Sequence, residues 1–209
     1  MYNKWKNNRK TMVKFIFENN EIDFNQEKNE ILANDELMRM METNSDLSAR
    51  FHKELRKYYK SDKIKLNIGS GFRPKIDFIN LDYDEKTYPD IIRNIDEGLP
   101  FDSDKFDEIY TSHVIEHVKD IFLFIYEMWR VTKNKGTITI ICPNGHNVFA
   151  SIQPDHLRQI SYSYFDRWRP EHRSVQNELK QTRGAFFNII KRELFNEERE
   201  IKFILEVVK

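Results

Sequence analysis

Two imidazoles and a carboxylate fall within five residues in SHVIEHV, where His113, Glu116 and His117 directly follow Ser112. A second pair, Asp155 and His156, lies in QPDHLRQIS. Imidazole suits the removal of a proton from a weak nucleophile such as a hydroxyl, because its ordinary pKa lies near neutral pH. His113 is the first candidate for such a base, with His117 and His156 as the others, the last if Asp155 orients its ring. His113 and His117 are four apart, so a helix begun here would set them on one side. The order His-x-x-Glu-His also suits zinc in hydrolytic chemistry. Further ligands for such a site are not indicated, and no metal is expected. The bland alternatives are that Glu116 and His117 fix a helix start and that Asp155 and His156 anchor a loop.

A second constellation lies upstream in KIKLNIGSGFRP, where alternating apolar residues give way to Gly69, Ser70 and Gly71. Glycines at the end of a strand allow a sharp turn and let backbone N–H groups approach a ligand. A dinucleotide fingerprint fails here, because Pro74 stands where the third glycine belongs, and Asp82 follows Gly69 by only thirteen residues rather than about twenty. The helix between them must therefore be very short. No Lys-Ser or Lys-Thr follows to make a phosphate-binding loop. A ribose with a compact polar tail fits the spacing better, with Asp82 accepting hydrogen bonds from both ribose hydroxyls.

Short strands that alternate with helical periodicity must position these groups. KIKLNIG, FINLDY, DIIRNI, FDEIYTSHV and GTITIICP read as five strands, with a helix between Asp120 and Val131 that places Phe122, Ile125 and Trp129 on one side. This order predicts a parallel α/β sheet covered on both faces, with ligands at the carboxyl ends of its strands. FFNIIKREL and REIKFILEVVK, separated by FNEE, predict a closing antiparallel hairpin. Residues 1–60 contain no Gly or Pro and read as a mostly helical cover, with an amphipathic helix over 46–60 and a short strand at TMVKFIF. Residues 61–209 form the main domain, in which about 144–183 is an insertion suited to substrate.

Lysine plus arginine and aspartate plus glutamate balance at 34 each, which argues against indiscriminate attraction to nucleic acid or an anionic membrane. The single cysteine, Cys142, excludes an internal disulfide and fits a reducing, cytoplasmic setting. The short apolar run near the start is too brief for a signal core or a membrane span, so no membrane insertion is expected.

LNIGSG, INLDYD, LPFDSDKFDEIYTSHVIEHV and EMWRVTKNKGTITIICP, in this order, resemble the motifs of class I S-adenosylmethionine-dependent methyltransferases. More narrowly they are similar to the type 11 branch associated with glycan and polysaccharide biosynthesis. The resemblance covers Lys63 to about Asn144 and implies a three-layer Rossmann-like fold with S-adenosylmethionine as cofactor. It implies that Asn67, Gly69, Ser70 and Gly71 line the methionine part, that Asp82 and Tyr83 serve the ribose side, and that Asn94, Ile95 and Asp96 lie nearest the adenine. Ser112 and His113 then face the methyl group. Asn67 and Asn94 stand where many relatives carry acids.

The implied activity is methyl transfer to a small-molecule or sugar acceptor, with oxygen as the acceptor atom. RNA or protein methylation is a second reading, to which RWRPEHR could contribute a basic patch. A noncatalytic scaffold that kept the fold is a third. Tyr162, Tyr164, Phe165 and Trp168 are either a stacking wall for a ring or core, and Arg130 and Lys133 read as a solvated helix end.

Overall fold

The computed structural model describes residues 61–75, 77–172 and 183–209. The expected strand TMVKFIF and the helix over 46–60 lie outside them. Among the described residues, seven strands form one mixed sheet in the order β3-β2-β1-β4-β5-β7-β6. They are β1 (Lys65–Ile68), β2 (Ile79–Asp82), β3 (Ile91–Ile92), β4 (Phe106–Ser112), β5 (Thr132–Pro143), β6 (Phe186–Phe195) and β7 (Glu200–Val208). The first five pair in parallel and β7 joins β5 antiparallel, as does β6 with β7. This is the expected α/β sheet with its closing hairpin.

The strands follow from period-two burial. In β7, Ile201, Phe203, Leu205 and Val207 are fully buried while the residues between them are only partly so. In β5, Ile138, Ile140 and Cys142 play the same part. Burying each such side chain contributes about 1.5–3 kcal/mol relative to exposure. Helix α1 (Ile121–Val131) starts at Asp120, whose carboxylate accepts the Leu123 N–H at 2.9 Å. It buries Phe124, Ile125, Met128 and Val131 against the sheet. Thr132 ends the helix, its hydroxyl donating to the Met128 carbonyl, and the chain passes directly into β5. A short helix α2 (Val148–Ser151) opens the insertion. Among the described residues no helix is long and apolar enough to cross a membrane.

Two expectations about local structure change. No helix is described between β1 and β2; a turn at Gly71 and Phe72 makes the connection instead. Nor does a helix begin at His113, which adopts φ +56°, a left-handed conformation that an L-residue enters at a cost of about 1–2 kcal/mol. Residues 113–119 are irregular, with a turn at 115–117, and helical periodicity begins only after the Asp120 cap.

Candidate functional site

The glycine turn is pinned to the end of β2. Gly69 and Ser70 both donate their N–H groups to the Leu81 carbonyl, at 2.9 and 3.1 Å. Gly71 donates its N–H to Asp82 Oδ2 at 2.7 Å, and Asp84 donates to the other oxygen at 3.0 Å. The two glycines are needed for different reasons. Gly69 has φ +66°, and a Cβ there would lie 2.2 Å from Val114 Cγ2, so its bareness lets the chain just past His113 pack onto the turn. Gly71 has φ +48°, and a Cβ there would meet nothing within 4 Å. It borders open space. Ser70 is buried, and its Oγ has no hydrogen-bond partner. Asn67 is also buried and donates its amide to Asn80 Oδ1 at 2.9 Å, tying β1 to β2.

Beyond β2, Tyr83 is 77% exposed beside Asp82. The loop after β3 is organised by Asn94, whose side chain accepts the Asp96 N–H at 3.0 Å and caps a short 3-10 turn. Ile95 packs on the core, while Asp96 Oδ1 accepts the Lys119 N–H at 2.9 Å and links this loop to the segment after His117.

At the end of β4, beyond Ser112, His113 donates its backbone N–H to the Ile141 carbonyl at 2.9 Å. Its ring lies between two carboxylates, with Nδ1 3.4 Å from Glu116 Oε1 and Nε2 2.8 Å from Glu200 Oε1. Glu116 above all, together with Glu200, holds the His113 pKa above the ordinary imidazole value despite partial burial. Glu116 is 1% exposed, and neither of its carboxylate oxygens makes a hydrogen bond.

The insertion is clamped to this segment. Arg158 donates to the Ile115, Val118 and Lys119 carbonyls, and Leu157 donates its N–H to the Glu116 carbonyl at 2.9 Å. The pairing of Asp155 with its neighbour is corrected. The Asp155 carboxylate lies 3.4 Å from His117 Nδ1, and its carbonyl lies 3.1 Å from the same nitrogen. His156 Nδ1 instead faces the Ala150 carbonyl at 2.9 Å. The His117 and His156 rings meet edge to face with centroids 4.9 Å apart.

Several neighbours resolve as structure. Phe165 and Trp168 are buried and Tyr164 stacks on Trp168 at 5.4 Å, which makes this aromatic group core; Tyr162 remains partly exposed. Arg130 is no solvated helix end. It grips Glu127 through two nitrogens at 2.7 and 2.8 Å and donates to the Leu99 and Phe101 carbonyls. Lys133 pairs with Asp107 at 2.8 Å. Cys142 is fully buried, and desolvation drives its thiol pKa well up. Glu200 and Arg158 were not singled out from sequence. The Arg158 signal lay within QPDHLRQIS, whereas Glu200 comes to His113 only through the pairing of Glu200 with Pro143.

A family model described as "Methyltransferase domain" matches residues 32–140, just over half of the chain. No curated protein matches. Among solved structures, the chain is similar to one from the complex between the Haloferax volcanii Trm112 methyltransferase activator and the putative methyltransferase. The identity is 11%, the coverage 90% of this chain and 100% of that one, and the TM-score 0.51. A SAM dependent methyltransferase from Aquifex aeolicus is 13% identical over 82% of this chain and 98% of its own, with a TM-score of 0.50. Haemonchus contortus phosphoethanolamine N-methyltransferase 1, in complex with phosphoethanolamine and S-adenosylhomocysteine, is 11% identical over 83% of this chain and 48% of that one, with a TM-score of 0.53. At such identities the common feature is the fold.

Proposed function

The chain belongs to the methyltransferase domain family, and from that premise we propose that it moves a methyl group from S-adenosylmethionine to an oxygen of a small-molecule or sugar acceptor. The observation that carries the reading is the contact of Val114 with bare Gly69, which sets the glycine turn against the chain that bears His113.

The residues present fit this cofactor. Asp82 presents a carboxylate whose orientation two backbone N–H groups fix. A carboxylate has roughly four acceptor positions, so about two remain for vicinal ribose hydroxyls. Open space borders Gly71, and the Ser70 hydroxyl lacks a partner. Gly69, Ser70 and Gly71 would hold the methionine part, with Asn67 behind them as a brace through Asn80. Tyr83, Asn94, Ile95 and Asp96 would border the nucleoside. When bound, S-adenosylmethionine supplies a methyl group made electrophilic by its sulfonium.

The chain's own contribution is placement and proton handling. Placing acceptor and methyl group at near-contact distance removes much of the entropic barrier. Ser112 ends β4 and His113 follows it, and His113 keeps 44% of its side chain exposed. Once Glu200 has drawn off the Nε2 proton and moved aside, a hydroxyl in its place hands its proton to Nε2, and Glu116 stabilises the imidazolium formed. His117 and His156 line the insertion side. We place the reaction in the cytoplasm, where the buried Cys142 thiol stays reduced.

Calorimetric titration with adenosylhomocysteine, followed by methyl transfer to a panel of nucleotide sugars and small hydroxylated compounds, tests the reading. Saturable binding with labelled small acceptor is expected. Labelling of RNA or protein alone overturns the acceptor class, and absence of cofactor binding leaves a scaffold.

A further inference from the structure

A buried carboxylate lies between two histidines of its own segment, and a distant segment brings a third histidine to them. Glu116 is 1% exposed and both of its oxygens lack a hydrogen-bond partner. His113 approaches Oε1 from one side and His117 Nε2 from another, at 3.4 and 4.0 Å. A group so desolvated needs a cation or a donor. His156 arrives from the insertion, which Arg158 and Leu157 hold against residues 115–119. One ligand atom from each of Glu116, His117 and His156 lies within 4.8 Å of the others.

The ring orientations select which nitrogens are free. His117 Nδ1 faces the Asp155 carbonyl at 3.1 Å and His156 Nδ1 faces the Ala150 carbonyl at 2.9 Å. Each carbonyl favours an Nδ1–H donor, which leaves Nε2 with its lone pair. Histidine ligands of metals are commonly fixed in this way by a second partner. Two imidazoles and one carboxylate form a set for a divalent first-row transition ion, because imidazole disfavours magnesium and calcium. Zinc–nitrogen and zinc–oxygen distances of about 2.0–2.2 Å in tetrahedral geometry set ligand atoms roughly 3.3–3.6 Å from one another. Both histidines are partly exposed, and binding requires their rings and Glu116 to draw closer than the 4.8 Å that now spans the cluster.

We infer that Glu116, His117 Nε2 and His156 Nε2 bind a divalent transition-metal ion of the zinc, cobalt, manganese or iron(II) class. The three ligands leave coordination positions open beside His113. Resting on the methyl-transfer reading, the ion would hold the acceptor oxygen and polarise its hydroxyl as a Lewis acid. The sequence alone offers HxxEH without a third ligand; the insertion supplies that ligand from His156.

The full chain, stripped with a chelator, is titrated with zinc and separately with cobalt, read by calorimetry and by visible absorption of the cobalt form. One tight equivalent is expected. His156→Ala and Glu116→Gln are expected to weaken binding by at least about 10–100-fold, a loss already typical of changes one shell further out. Circular dichroism and thermal melts check that each variant folds, and half-buried His156 keeps the test open if Glu116→Gln does not. His172→Ala, altered far from the cluster in sequence, binds as wild type. No stoichiometric uptake by the wild type, unchanged affinity in folded His156→Ala, or equal loss in His172→Ala overturns the site. Adenosylhomocysteine titration of the same metal-free sample separates the readings: nucleoside binding without metal uptake removes the metal alone, and metal uptake without nucleoside binding removes methyl transfer alone.

Discussion

Replacing Gly69 or Gly71 by alanine separates a glycine needed for packing from one that faces ligand. Both have left-handed φ, +66° and +48°, so each substitution incurs about 1–2 kcal/mol of backbone strain. At Gly69 the new methyl overlaps Val114 Cγ2 at 2.2 Å, and overpacking of this kind adds about 1–3 kcal/mol. Gly69→Ala should therefore lose about 2–5 kcal/mol, and Gly71→Ala only the strain of about 1–2 kcal/mol. For a chain of 209 residues each kcal/mol lowers Tm by roughly 2–4 °C, giving a fall of roughly 4–20 °C against roughly 2–8 °C. In affinity the two variants differ in the opposite sense. The methyl at Gly71 enters space that a bound nucleoside tail would fill, so adenosylhomocysteine should bind at least about tenfold more weakly, a loss of about 1.4 kcal/mol. Thermal melts measure the first quantity and calorimetry the second. Val114→Ala in the Gly69→Ala background should recover the overlap part but not the strain. If Gly71→Ala binds like wild type, the turn does not face the cofactor. If Val114→Ala rescues nothing, the overlap is not the cause of the loss.

Asp82→Ala should abolish measurable adenosylhomocysteine binding while the chain still melts cooperatively, checked by paired calorimetry and melting; wild-type affinity would remove its ribose role. Glu127 is pushed up by burial, but the Arg130 guanidinium and the Leu99 N–H outweigh this and hold it below the usual carboxylate value. Its contribution is therefore fully present above the unfolded glutamate pKa of about 4.3 and is lost as pH falls through the lower folded value. Urea midpoints of Glu127→Gln should accordingly lose part of the wild type's acid-side slope. Cys142, buried with a raised pKa, should resist thiol reagents in the native state and react at the rate of global unfolding, as followed by mass spectrometry under graded denaturant.

The parts of the fold legible in sequence were those where local pattern and tertiary role agree. REIKFILEVVK alternates because one face of β7 is core, and Asp120 announces a helix because its carboxylate has an orphan N–H to accept. The first residues of β5, Thr132 to Lys135, carry no apolar alternation, so only their proximity to β4 makes them strand. Four-residue spacing suggested a helix for His113 and His117, but the left-handed φ of His113 directs the chain into turns, and Glu116 then becomes the group both rings approach. Asp155 beside His156 looks like a pair because they are adjacent; the turn closed by the His156 N–H on the Gln153 carbonyl gives the two side chains different partners, and the aspartate serves His117. Glu200 had no local signature, since its meaning depends on the register of β7 against β5.

That register has a consequence for synthesis. The chain leaves the ribosome with β5 completed before either hairpin strand, and β6, the earlier of the two, pairs among the described strands with β7 alone. Until β7 arrives, the β5 edge is open to strands of neighbouring nascent chains, the situation in which incomplete chains aggregate. Because β7 also brings Glu200 to His113, a nascent chain that has not closed its sheet also lacks this carboxylate at the imidazole.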